Sequence, residues 1–287
     1  MNLRCFVLAI VMAGASSAGA QTPTYDLVIR GGRIVDGTGA PSYRADLAVL
    51  NGRISVIGRP DTTKARRVID ATGLVVAPGF IDMMGQSADM FTRGPADVAI
   101  NLLSQGITTI NAGEGESSAP VAPGAAGAVG WSTMREYFRR LEVAGTPLNV
   151  AQTVGHTTIR QIVIGDSARQ ASPAELQRMR GMVEEAMQAG AIGVSTALIY
   201  PPAVYASEEE ITALTSVAGR YGGRYFTHMR NEGDRLLEAI DEAMRIGRNA
   251  HTPVHIFHLK TAGQANWGKM DLALARIREP DRFLSLS

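Results

Sequence analysis

From Leu74 onward the sequence repeats one unit: a short apolar run, a loop, then an amphipathic helical stretch. The apolar runs fall at residues 74–82, 107–112, 149–154, 192–197, 224–228 and 254–258. Strands alternating with helices argue for a parallel sheet, because each strand rejoins its neighbour by a crossover. The clearest helix is expected at residues 173–189. Ser172 caps it, Pro173 takes the first helical position, Glu175 completes a capping box, and Gly190 closes it. Leu176, Met179, Val183 and Met187 form its apolar stripe. Ser207 and Glu210 repeat the capping box before Ile211, Leu214 and Val217. Six successive units favour a (β/α) barrel over a doubly wound sheet. A (β/α)8 barrel has eight strands in about 250 residues. The segment from Leu74 is shorter and shows six, so the expected fold is α/β, an incomplete (β/α)8 (TIM-type) barrel. Residues 113–130, rich in Gly, Ala, Pro and Ser, are expected to form a mobile loop.

Residues 21–73 read as a small β-sheet domain ahead of the barrel. Within it, residues 25–58 form a meander, broken at Gly31-Gly32 and at Asn51-Gly52, the latter a strong hairpin signal. Residues 1–20 read as a signal peptide. Arg4 supplies the charged start, an apolar run follows, and Ala18-Gly19-Ala20 is a small-residue cleavage site. The expected location is therefore periplasmic or secreted, with no membrane association after cleavage. The single cysteine, Cys5, falls inside the leader, so the mature chain needs no disulfide. Lys and Arg number 28 against 27 Asp and Glu, a net charge of +1 that offers no footprint for nucleic acid.

In a barrel of this kind, residues at the C-terminal ends of strands line the active site. Of the five histidines, His228 and His258 fall at the ends of two successive strand runs, and Glu114 lies just past the run 107–112. Two imidazoles and a carboxylate are a reasonable three-ligand zinc set with an open fourth position. His251 falls in a loop, and His255 points to the opposite face from His258, so both are expected to be structural.

The stretch VVAPGFID at 75–82 resembles the first barrel strand of the amidohydrolase superfamily, and YDLVIRGGRIVDGTG resembles its N-terminal sheet. The rest resembles the D-aminoacylase (N-acyl-D-amino-acid deacylase) branch. The matching stretches are GITTINAGEGE at 106–116, VGHTTIR at 154–160, AGAIGVSTALIY at 189–200, YFTHMRNEGD at 225–234, HIFHLKTAG at 255–263 and NWGK at 266–269. The resemblance implies a metal-dependent hydrolase of N-acyl-D-amino acids, or of similar non-peptide C–N bonds, acting on a small-molecule substrate. It supports His228 and His258 as metal ligands, and it places Glu114 where the family usually has a cysteine. Lys260 falls where the family binds the substrate carboxylate, with Arg230 and Tyr200 as further candidates. Arg230 could equally pair with nearby Glu232 or Asp234.

Two departures qualify that implication. Met84 and Gln86 stand where the family has an HxH pair, and neither is a plausible zinc ligand, so one Zn2+ ion is expected rather than two. The family's catalytic Asp lies at the end of strand eight, and no residue here occupies that place. The later Asp271 and Asp281 stand in other contexts. No catalytic residue is therefore assigned, and turnover is expected to be impaired. The alternative is a truncated non-catalytic paralogue that only binds ligand or metal. Open barrel edges would also favour self-association.

Overall fold

A computed structural model describes residues 24–94, 99–278 and 284–286. The expected leader and Asp281 lie outside the described residues. Two compact units are present, one ending at Pro78 and one beginning at Gly79.

The first unit holds two small sheets instead of one meander. Its strands are β1 (Leu27–Arg30), β2 (Arg33–Ile34), β3 (Tyr43–Arg44), β4 (Asp46–Leu50), β5 (Arg53–Gly58), β6 (Val68–Asp70) and β7 (Val75–Val76). They pair in the orders β5-β4-β1-β6 and β3-β2-β7. Asn51-Gly52 does turn β4 back onto β5, with φ of 51° and 71°. Both values are left-handed, the geometry that a tight hairpin requires and that Asn and Gly tolerate. Gly31-Gly32 makes no hairpin. The two edges of β1 are taken by β4 and, in parallel, by β6, which leaves no edge for β2. The apolar run 74–82 breaks at Pro78, which has no N–H for a ladder. As a result β7 pairs with β2 in the first unit, and the second unit starts five residues beyond the change of pattern at Leu74.

The second unit contains β8 (Phe80–Asp82), β9 (Ile107–Ala112), β10 (Asn149–Gln152), β11 (Val154–Gly155), β12 (Gly193–Ala197), β13 (Arg224–His228), β14 (Val254–Ile256) and β15 (Leu284–Leu286). All pairings are parallel, in the orders β10-β9-β8 and β11-β12-β13-β14-β15. β10 and β11 are one run that changes partner at Thr153. The Thr153 N–H still donates to Ala112 O (3.0 Å), and Ile192 N–H donates to Gln152 O (2.9 Å). Spatial neighbours thus follow chain order without reversal. A doubly wound sheet reverses at a switch point, so this is the winding of a barrel. Among the described residues the array has seven successive strands, one more than the sequence suggested, because β15 adds to the edge of β14.

The helices are α1 (Ile100–Leu103), α2 (Ala126–Val129), α3 (Met134–Ala144), α4 (His156–Val163), α5 (Pro173–Ala189), α6 (Glu208–Arg220), α7 (Leu236–Ala250) and α8 (Met270–Arg278). α5 matches its expected bounds and capping box, and it buries Met179, Val183 and Met187. Full burial of each such side chain contributes about 1.5–3 kcal/mol. Ser207 caps α6, but Glu210 does not complete the box. Its carboxylate turns inward to Arg160 Nη1 (2.9 and 2.8 Å) and His156 Nε2 (2.8 Å). Residues 113–130 carry α2, and the first part of that segment is anchored. Ser117 Oγ accepts from Gly155 N–H (2.9 Å), Ser118 O accepts from Trp131 Nε1 (2.8 Å), and Ala119 is fully buried.

His255 on β14 is buried beside the rings of Phe226 and Phe257, with centroids 5.2 and 5.6 Å away. Burial, helped by the charge of Arg224, pushes its imidazole down to about 4. The unfolded chain takes up a proton near pH 6.5 that the folded chain refuses until about pH 4. Stability should therefore fall as pH drops from about 6.5 to about 4, by about 3 kcal/mol from this residue. Chemical denaturation of wild type and His255→Leu at both pH values checks this. The variant should lose that part of the acid slope, and an unchanged slope would contradict the assignment.

Candidate metal centre

β9 ends at Ala112, and the chain turns through Gly113 and Glu114 over the barrel rim. Gly115 fixes that turn. Its φ is +78°, and a Cβ there would lie 2.5 Å from that of Ala197. The loop is clamped from two sides: Gly115 N–H donates to Ser195 Oγ (3.1 Å), and Gly115 O accepts from Thr157 N–H (2.8 Å). His228 is the last residue of β13. His258 lies two residues beyond the end of β14, which stops at Ile256 rather than 258. Its φ of 37° is left-handed, an uncommon conformation for a non-glycine residue and a recurrent one at functional sites.

These three elements bring Glu114, His228 and His258 together. Glu114 Oε1 lies 2.9 Å from His228 Nδ1 and 2.7 Å from His258 Nε2. One donor atom from each residue falls within 4.8 Å of the other two. The imidazoles meet edge to face, 4.5 Å apart. Burial alone would raise the Glu114 carboxyl, but hydrogen bonds from His228, His258 and Gln86 hold it at about 2. Burial alone would lower the His228 imidazole, but its contacts with Glu114 and Glu232 carry it to about 9. His228 side-chain exposure is 7% and that of His258 is 22%, so one side of the cluster stays accessible. An oxygen and two imidazole nitrogens converging at an accessible rim suit zinc with a free position.

The stretch after β8 runs alongside. Gly85 N–H donates to Asn111 O (2.8 Å), and Gly113 N–H donates to Gln86 O (2.7 Å), so this stretch is pinned to the end of β9. Gln86 has a left-handed φ of 55°, and its Nε2 donates to Glu114 Oε2 at 2.5 Å. The second oxygen of Glu114 is therefore engaged by a neutral amide. Beside it lies a cavity of about 210 Å3 that includes Ser87, Asp89 and Glu116.

Glu232, which the sequence raised only as a partner for Arg230, is a buried carboxylate next to the cluster. Its Oε1 accepts from Lys260 Nζ (2.6 Å) and lies 3.1 Å from His258 Nδ1, and its Oε2 lies 3.4 Å from His228 Nε2. Lys260 Nζ is also 2.9 Å from His258 Nδ1. Arg230 pairs with neither Glu232 nor Asp234. Its Nε and Nη2 donate to Glu242 (3.0 and 2.9 Å), and its Nη1 and Nη2 also donate to Val204 O and Ala206 O. It lines a different cavity, of about 460 Å3, shared with Glu242 and Arg245. Tyr200 is 58% exposed, with its ring edge-on to His228 at 5.3 Å. Among the described residues no helix is long and apolar enough to cross a membrane.

The amidohydrolase family profile matches residues 67–275. A D-aminoacylase of Alcaligenes xylosoxydans xylosoxydans is 40% identical over 87% of this chain. The chain spans about half of that relative's length, 54%. Two solved structures superpose over comparable lengths. One is a D-aminoacylase whose binuclear metal centre is described by one-metal activation and second-metal attenuation (TM-score 0.84, 36% identity, 92% of this chain and 58% of that one). The other is an N-acyl-D-glutamate deacylase from Bordetella bronchiseptica, complexed with zinc and a phosphonate mimic of the tetrahedral intermediate (TM-score 0.81, 35% identity, 91% and 58%).

Proposed function

The chain belongs to the amidohydrolase family, and from that premise we propose that its triad holds one zinc ion and serves hydrolysis of the amide C–N bond of an N-acyl-D-amino acid. The observation that carries this reading is the convergence of Glu114, His228 and His258 on one point at the rim. The identity of the relatives supplies the substrate class. The single ion follows from Gln86, which cannot act as a strong ligand and already engages Glu114 Oε2.

The chemistry supplied by a bound zinc ion is Lewis acidity, which polarises a carbonyl and acidifies water. This chain's own side chains orient the substrate. Lys260 has three N–H donors, one committed to Glu232 and one within reach of His258 Nδ1, so its ammonium still has a third for a substrate carboxylate. A carboxylate fixed there would hold the amide at the triad. That is orientation catalysis, in which fixed reactants replace a random encounter.

Amide cleavage also needs a proton carried from the attacking water to the leaving nitrogen. Among the described residues the carboxylates contacting the two imidazoles are Glu114 and Glu232, and both are committed to them. This favours a second reading, in which the 287-residue chain binds zinc and ligand but turns over slowly. A missing general base costs typically about 10²–10⁴-fold in rate.

Calorimetric titration of the zinc-loaded chain with an N-acetyl-D-amino acid and its L enantiomer tests the proposal. The D form should bind more tightly, and Lys260→Met should weaken it at least about tenfold, the loss of one charge-assisted contact of about 1.5–3 kcal/mol. Equal binding of both hands, or no effect of Lys260→Met, would contradict the substrate assignment.

A further inference from the structure

Glu232 is 6% exposed, and a buried carboxylate is retained only where partners compensate its charge. Its side chain accepts from Lys260 Nζ and lies 3.1 Å from His258 Nδ1 and 3.4 Å from His228 Nε2, the last too far for a hydrogen bond, and all three are members of the site. The backbone holds it in place: Glu232 O accepts from Ala262 N–H at 2.7 Å, which ties the loop after β13 to the loop after β14.

Each imidazole therefore has one nitrogen toward Glu114 and the other toward Glu232. A neutral imidazole carries one N–H and one lone pair. For His228 Nδ1 and His258 Nε2 to present lone pairs to a cation, the protons must sit on His228 Nε2 and His258 Nδ1. A carboxylate facing those two positions favours that arrangement. His258 has a competitor. Lys260 Nζ, 2.9 Å from Nδ1, can only donate. If it donates to Nδ1, the ring proton moves to Nε2 and the lone pair facing Glu114 is lost. Glu232 Oε1 lies within 2.6 Å of Nζ and 3.1 Å of Nδ1, so it can accept from both at once and remove that conflict.

We infer that Glu232 is a positioning residue whose charge favours the metal-binding tautomer of both imidazoles and gives the Lys260 ammonium an acceptor other than His258 Nδ1. This rests on the metal reading above and extends it to the residue that sets the ligand protonation.

The test is zinc affinity of the full chain, measured by competition with a chromogenic chelator. Glu232→Gln should weaken zinc binding by about 10–100-fold, the usual effect of removing the carboxylate behind a histidine ligand. Adding Lys260→Met to Glu232→Gln should restore much of the loss, because the competing donor is gone. A purely structural role for Glu232 predicts no such rescue. Ring N–H exchange in the zinc-loaded wild type gives a readout that needs no variant to fold. Slow exchange at both His228 Nε2 and His258 Nδ1 supports the inference, and fast exchange at both overturns it. If wild type binds zinc and Glu232→Gln binds it equally well, the inference fails while the metal reading stands. If wild type binds no zinc, the metal reading fails and this inference with it.

Discussion

Glu210→Ala should destabilise the chain by about 3–5 kcal/mol, the usual cost of stranding one partner of a buried ion pair. Arg160 has no side-chain exposure and Glu210 has 3%. Without the carboxylate, a guanidinium and a fully buried imidazole would face a low-dielectric interior with, among the described residues, only the carbonyls of Ser167 and Arg169 for compensation. For a unit of this size, that should lower the thermal midpoint by about 10 °C. Replacing Arg160 and Glu210 together by methionine should cost much less than the single change, because no charge is left unpaired. Thermal unfolding followed by circular dichroism measures both. A loss under about 1 kcal/mol in Glu210→Ala would show that the carbonyls alone satisfy Arg160. The cluster also bears on the site. It ties α4 to α6, and the first turn of α4 holds the loop of Glu114 through Thr157 N–H.

The second large effect lies at the triad. Glu114→Ala should weaken zinc binding by roughly 10²–10³-fold. This is one ligand's share of the ~10–16 kcal/mol of a complete zinc site, at 1.4 kcal/mol per decade. Glu114→Cys should retain most of the affinity, because a thiolate is an equally good donor for zinc. His258→Ala should match Glu114→Ala. Chelator competition measures all three, and wild-type affinity in all three variants would place the ion elsewhere.

Much of this was legible in the sequence for identifiable reasons. The βα periodicity and the caps of α5 are local signals, so the barrel winding and that helix emerged with correct bounds. Rim placement singled out Glu114, His228 and His258, because strand ends are where a barrel gathers its side chains. The split of the first sheet was not legible, since Gly31-Gly32 looks like a hairpin until β6 takes the edge of β1 from far along the chain. β15 was missed because three residues carry too little periodicity. Glu232 and Glu210 were misread for a common reason. Each sits in a local motif, a salt bridge with Arg230 or a capping box, and each is drawn away by buried charges that only tertiary packing supplies. His228 and Glu232 are four residues apart, a hint that gains meaning only once the loop after β13 is seen to fold back.

The central claim is that Glu114, His228 and His258 hold a single zinc ion. Metal analysis of the chain after loading and dialysis, combined with X-ray absorption at the zinc edge, tests it most directly. The account predicts one zinc per chain in a shell of nitrogen and oxygen donors, with the scattering signature of two imidazoles and no sulfur. No retained zinc, two ions per chain, or sulfur at bonding distance from Met84 or Cys5 would contradict it.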